Sequence, residues 1–259
     1  MTDVLAISLH AMQHDMARLE RISMNMANAT TPGYKREVAA SLPLSASGFI
    51  DAMKSVDALP APAATASAAV GGAMMVRTDP RPAMLKSTGQ PLDVALGSTG
   101  FFEVSTEAGP AYTRQGNWQL DARGRLVTAQ GHPVMGLGGE IVLSHPRPRI
   151  DATGQVFEPA VDGRTDAAPV AQLKIVAFDD GGGLGRMGDG LLSTSAPPVL
   201  LDDGDIQVRQ GFLENSNVSS MQEMVQLIQS MRHFESMQKV ALGYDDMIGA
   251  AVRKLGEVS

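Results

Sequence analysis

Both ends of this chain carry long apolar helical repeats, and the stretch between them does not. From Leu5 the apolar positions run Leu5, Leu9, Met12, Met16, Leu19 and Met26, with Ser23 breaking an otherwise regular 4,3 spacing. Near the other end Met224, Leu227, Met231, Phe234, Ala241, Ile248, Val252 and Leu255 keep the same rhythm, interrupted by Gln238 and Asp245. Seams of this kind belong to helices that pack lengthwise on other helices. The expectation is a discontinuous helical module made by the two termini, with the middle of the chain folded by itself. That pattern speaks of assembly and not of catalysis.

The helix boundaries follow from local chemistry. The first helix is predicted over 4–29, about 39 Å at 1.5 Å per residue. It ends at Thr30-Thr31-Pro32-Gly33, where Pro32 pushes Thr31 out of helical geometry and Pro-Gly favours a tight turn. The second is predicted from Ser220 to about Lys254, roughly 50 Å. Ser220 followed by Glu223 has the form of a capping box. This helix carries a second apolar stripe, Met221, Val225, Ile228, Val240 and Leu242. A surface that wide needs more than one partner helix, and the first helix supplies only one. In a lone molecule the remaining stripe faces water at about 25 cal/mol per Å². Both termini are therefore expected to be at most partly helical until docking orders them.

Between the helices the pattern changes twice. From about 39 to 73 the chain is dense in Ala, Ser and Pro and is expected to be a linker or extended arm. From 74 to 214 the period becomes two. Strands are predicted at Leu92–Leu96, Phe101–Ser105, Ala111–Arg114, Asn117–Asp121, Arg125–Thr128, Ile141–Leu143, Gln172–Phe178 and Ile206–Arg209, separated by Gly- and Pro-containing turns. The fold class is thus α+β: paired helices from 1–38 and 215–259, and a mainly antiparallel β-domain built as a partly closed barrel or sandwich.

Composition narrows the function. The net charge is −7, and no basic cluster exceeds Lys35-Arg36, so the concentrated positive surface that nucleic acid requires is missing. There are no cysteines, which excludes disulfides and thiolate metal sites. No run of about 18 apolar residues marks a membrane span, and the amino end lacks a secretory signal pattern. Aromatics are 4% while Met is 16 residues, so the apolar faces rely on flexible side chains that fit irregular neighbours.

The run Asn25-Met26-Ala27-Asn28-Ala29-Thr30-Thr31-Pro32-Gly33-Tyr34-Lys35 resembles the amino-terminal signature of the bacterial flagellar rod and hook proteins. Gln210-Gly211-Phe212-Leu213-Glu214-Asn215-Ser216-Asn217-Val218, with Glu223-Met224-Val225 and Arg232-His233-Phe234-Glu235, resembles the closing helix of that family. Pro91-Leu92-Asp93-Val94-Ala95-Leu96, Gly100-Phe101-Phe102 and Tyr112-Thr113-Arg114-Gln115-Gly116-Asn117 are similar to its β-domain. Thr31 stands where the family has Asn or Val, a mild departure. The length resembles the single-β-domain rod members. Ser87–Leu96, Gln130–Val134 and Arg232–Met237 look closest to the proximal-rod member just below the distal rod, with the distal-rod protein as the near alternative.

The resemblance implies a structural protein of the flagellar basal body with no catalytic, cofactor or metal residues. It implies export through the flagellum's own secretion apparatus, location in the periplasmic part of the rod, and helical polymerisation with copies of itself and other axial proteins. The residues expected at the assembly interface are Leu5, Leu9, Met12, Met16, Leu19, Asn25, Asn28, Pro32, Gly33, Tyr34, Asn217, Met224, Leu227, Ile228, Met231, Phe234, Ile248 and Val252.

Other motifs have plainer readings. Gly183-Leu184-Gly185-Arg186-Met187-Gly188 matches a dinucleotide fingerprint, but no helical sequence follows, and Asp179-Asp180 would repel a phosphate; a loop is expected. His10 and His14 share a helix face, and with no third ligand in view they read as a solvated or interface pair. Two rival classes stay open on the residues: a β-domain binding module with dimerising helices, and an enzyme using the glycine-rich segment.

Overall fold

A computed structural model describes residues 3–41, 74–159, 168–178, 184–194 and 196–256. The described residues form an α+β fold with two long helices, α1 (Asp3–Ala27) and α2 (Ser220–Gly256), and a set of short strands paired antiparallel. The chain divides into two units. One takes α1 as far as Met26, the chain from Glu37 to Val76 and α2; the other takes residues 27–36 and 77–219. The predicted arm at 39–73 lies outside the described residues from 42 onward, and its first residues belong to strand Glu37–Ser41, which pairs with Met74–Thr78.

The second unit is built on a six-stranded antiparallel sheet. Its order is Gly185–Gly188, Leu191–Ser193, Gly109–Thr113, Phe101–Thr106, Ile175–Ala177 and Val199–Leu200. The central hairpin closes on Thr106↔Gly109, where Gly109 takes a φ of 117° that side-chain-bearing residues rarely adopt. Alternation along Phe101–Thr106 divides its side chains between two faces. Phe102 and Val104 enter the main core with Leu96, Trp118, Leu126, Ile141, Leu173 and Ile175; Phe101 joins Tyr112, Val176 and Leu192 in a smaller cluster. Trp118 meets Phe102 edge-on at 4.8 Å and donates its indole N–H to the Gln115 carbonyl, so its one polar atom is satisfied.

Several predicted strands are corrected by the ladder. Ile141 and Leu143 are buried and Val142 is exposed, as alternation requires, but the segment pairs only through the Arg125↔Val142 bridge. Gln172–Phe178 is not one strand: Ala171–Gln172 and Ile175–Ala177 lie in different sheets. Strands at Arg149–Ile150, Gln155–Phe157 and Phe212–Glu214 have no counterpart in the sequence pattern. They are too short to show a period.

In the glycine-rich segment, Gly183 lies outside the described residues. Gly185–Gly188 is an edge strand with a register shift, joined to Leu191–Ser193 by a turn in which Asp189 and Gly190 both have positive φ. A strand and a tight hairpin replace the expected loop, and no helix begins there to face a pyrophosphate.

Candidate assembly site

In the β-rich unit, the segment that follows α1 and the segment that precedes α2 are fastened to each other. Thr31 and Tyr34 close a turn through Thr31 N–H to the Asn28 carbonyl (3.1 Å) and Tyr34 N–H to the Thr31 carbonyl (3.3 Å). Gly33 has a φ of 68°, and its N–H donates to the Glu214 carbonyl at 2.7 Å. A Cβ there would lie 2.5 Å from the backbone carbon of Arg114, so both conformation and space demand glycine. Asn217 completes the joint. Its side-chain oxygen accepts from the Arg36 N–H at 2.6 Å, its amide donates to the Asp79 and Arg81 carbonyls, and its own N–H donates to the Tyr34 carbonyl.

Beneath this turn lies a buried charge triad. The Glu214 carboxylate accepts from Lys35 Nζ at 2.6 Å, from Arg114 Nη1 at 3.2 Å and from the Ala83 N–H at 2.7 Å. Lys35 also donates to the Arg81 carbonyl, and Arg114 to the Ser98 carbonyl. Burial pushes the Lys35 ammonium below its usual range, opposed by Glu214; burial likewise lowers Arg114, again opposed by Glu214. Two cations on one buried anion hold together only because every partner is present. Above it the Arg186 guanidinium stacks 4.1 Å from the centre of the buried Tyr34 ring and donates to the Lys35 carbonyl.

The helical unit carries a second joint. Asn25, buried near the end of α1, acts like one residue of a ladder: its amide donates to the Glu37 carbonyl at 2.9 Å, and its side-chain oxygen accepts the Glu37 N–H at 3.0 Å. The same amide reaches the Glu223 carboxylate of α2 at 3.4 Å. Glu223, expected to cap its own helix, is fully buried and also serves this crossing. Arg21 pairs with Glu37 at 3.2 Å, and Asp15 contacts His233 at 2.6 Å.

On α1 the apolar seam sits one step round the helix from the buried face, whereas on α2 it straddles the covered line, with Leu227, Phe234 and Ala241 on it and Met224 and Met231 beside it. On α1 the buried residues are Ser8, Asp15, Ile22 and Asn25, whereas Leu5, Leu9 and Met16 are about half exposed or more, and Met12 and Leu19 are intermediate. On α2 the covered line runs Glu223, Leu227, Ser230, Phe234, Met237, Ala241 and Tyr244. Met221, Met224, Val225, Ile228 and Met231 form an exposed stripe, and Ile248 and Val252 are exposed farther along. Of the expected interface residues, then, Asn25, Gly33, Tyr34 and Asn217 serve contacts within the chain, Asn28 and Pro32 are half-buried, and most of the seam lies outward. Lys35, Arg114, Glu214 and Glu223 lie in motifs visible in the sequence, but nothing in their spacing reveals that they meet.

Among the described residues no cluster of three or more His, Asp or Glu converges as a metal site, and no helix is long and apolar enough to cross a membrane. Comparison with known proteins agrees with the motifs. The family described as "Flagellar hook protein FlgE/F/G D1 domain" matches residues 95–158, and "Flagellar basal body rod FlgEFG protein C-terminal" matches residues 209–254. The chain is 35% identical over 240 residues to the flagellar basal-body rod protein FlgF of Escherichia coli (strain K12), covering 88% of each chain. It is 30% identical to FlgF of Mesorhizobium japonicum over the full length of both, and 28% identical to FlgG of Bacillus subtilis (strain 168) over 93% of this chain and 94% of that one. From the turn at Pro32-Gly33 to the closing helix, this chain belongs to the flagellar rod and hook protein family.

Proposed function

We propose that this chain is a structural, non-enzymatic subunit of the flagellar rod, that it polymerises helically through α1 and α2, and that its place is the proximal, FlgF-type section. The relatives named flagellar basal-body rod protein support the rod role, and the higher identity to FlgF of Escherichia coli (35%) than to FlgG of Bacillus subtilis (28%) supports an FlgF-type subunit. The observation that carries polymerisation is the stripe Met221, Met224, Val225, Ile228 and Met231, each at least half exposed on a helix whose other line is covered. Burying such side chains from about half exposure is worth on the order of 1 kcal/mol each, so five per subunit is a substantial drive to associate. In this reading α1 and α2 pair in coiled-coil fashion and the β-rich unit forms the outer layer. Residues 1–38 and 215–259 are the inner assembly region, and 39–73 an extended arm. Its neighbours are copies of itself and other axial proteins in the periplasm, reached through the flagellar export apparatus. Copies related by a rotation that does not close make a filament.

Electron microscopy of the concentrated full chain, with light scattering, tests this. Open polymers that disappear in Ile228→Asp are expected. A closed dimer that survives the substitution would favour a binding module with dimerising helices. Limited proteolysis of dilute protein is expected to trim both ends and leave a core near 75–210; ends that resist as well as the core would count against ordering on assembly.

A further inference from the structure

α1 presents His10 and His14 one helical turn apart. Their Nε2 atoms lie 3.0 Å from each other, with the rings edge-to-face at 4.4 Å between centres. A single hydrogen bond on an exposed helix accounts for that approach, but the geometry suits something stronger. Imidazole nitrogens bind late first-row divalent ions at about 2.0–2.1 Å. Two such bonds at a right angle put the nitrogens about 2.9 Å apart, and at a tetrahedral angle about 3.3 Å. The observed separation falls between the two, next to the right-angle value.

We infer that His10 and His14 form a bidentate site for a late divalent transition metal ion, filling two adjacent equatorial positions, with water completing the shell. The right-angle fit favours a square-planar or tetragonal ion, and the affinity order of first-row divalent ions places copper(II) highest. Loading replaces the bond between the rings: each Nε2 turns its lone pair to the metal, and the proton moves to Nδ1. The chain has no cysteine thiolate to compete. His10 is exposed and His14 half-exposed, so the ion reaches both without unfolding the helix. Clamping two successive turns also fixes the helix around them, because an ion that binds only the folded form stabilises it.

Copper(II) titration of the full chain, followed by calorimetry and electron paramagnetic resonance, is the test. One high-affinity ion per chain is expected, with hyperfine structure from two imidazole nitrogens. His10→Ala or His14→Ala should weaken it by at least about tenfold and leave one nitrogen in the spectrum. The combined His132→Ala, His145→Ala variant, both positions lying in the β-rich unit, should bind as the parent does. Alanine favours a helix, so the two α1 substitutions keep the element itself intact. Far-UV dichroism should gain helix on adding copper in the parent and not in His14→Ala. Equal affinity in parent and His10→Ala, a one-nitrogen spectrum in the parent, or loss of binding in the His132→Ala, His145→Ala variant would each overturn the assignment.

Discussion

The β-rich unit buries mainly apolar residues and the helical unit mainly polar ones. In the first, Val94, Phe102, Val104, Leu126, Val134 and Ile175 are closed off from water, and the main charges taken inside, Lys35, Arg114 and Glu214, answer one another. In the second, the buried positions of α1 are Ser8, Asp15 and Asn25 with Ile22 as the one apolar member, while Leu5, Ile7, Leu9 and Met16 face outward. α2 repeats the inversion, with Glu223 and Ser230 inside and the stripe around Ile228 outside. A unit that hides its apolar residues is complete alone. One that hides polar residues and displays apolar ones has specified its internal register with hydrogen bonds and, in the reading proposed above, leaves its apolar faces for neighbours.

The sharpest way to break this contrast is at Glu214. Glu214→Gln keeps the shape but leaves Lys35 and Arg114 buried without their counter-charge, and should cost about 3–5 kcal/mol of unfolding free energy in the β-rich unit. Denaturant melts read it; a loss below about 1 kcal/mol would show that the triad is dispensable. Next comes Gly33→Ala, where positive φ and the backbone of Arg114 both resist a side chain; more than about 1 kcal/mol should be lost, again by denaturant melts. At the other extreme, Ile228→Ser and Met231→Ser on exposed α2 positions should alter monomer stability by less than about 0.5 kcal/mol and yet abolish high-order species in sedimentation. A large stability loss there would mean the stripe is core after all.

The smallest effect concerns pH. Hydrogen bonds from Arg125 hold the Asp121 carboxyl below its ordinary 3.8. A depressed carboxyl contributes stability above its unfolded value and loses it as pH falls through the folded one. The thermal-melt difference between parent and Asp121→Asn should therefore be constant near neutrality and narrow only below pH 3.8. A difference that stays fixed down to strong acid would assign the effect to the backbone bonds that Asp121 accepts from Arg123 and Arg125.

The two regions were unequally legible. The helices could be placed within a few residues, since 3.6-residue periodicity, Pro32-Gly33 and the Ser220 start are local signals. The central hairpin was legible because Glu107-Ala108-Gly109-Pro110 carries turn residues and its flanks alternate, although the turn itself is Glu107-Ala108 and Gly109 and Pro110 open the second strand. Two-residue ladders such as Arg149–Ile150 were not, because their pairing is decided by what lies across from them. The site divides the same way. Gly33 and Asn217 stood out as motif residues, while the depth of Glu214 and the convergence of Lys35 and Arg114 on it had no local signature.

The sequence by itself determined that long helices stand at both ends, that strands lie between them, and that more apolar helical surface exists than one partner can cover. Each follows from spacing along the chain. Only the tertiary structure decided which line of each helix turns inward. Periodicity fixes a stripe's angle to its own axis and says nothing about its neighbours, so the choice of Asp15 and Asn25 over Leu9 and Met16 rested on hydrogen bonds to Glu37, Glu223 and His233 from distant parts of the chain.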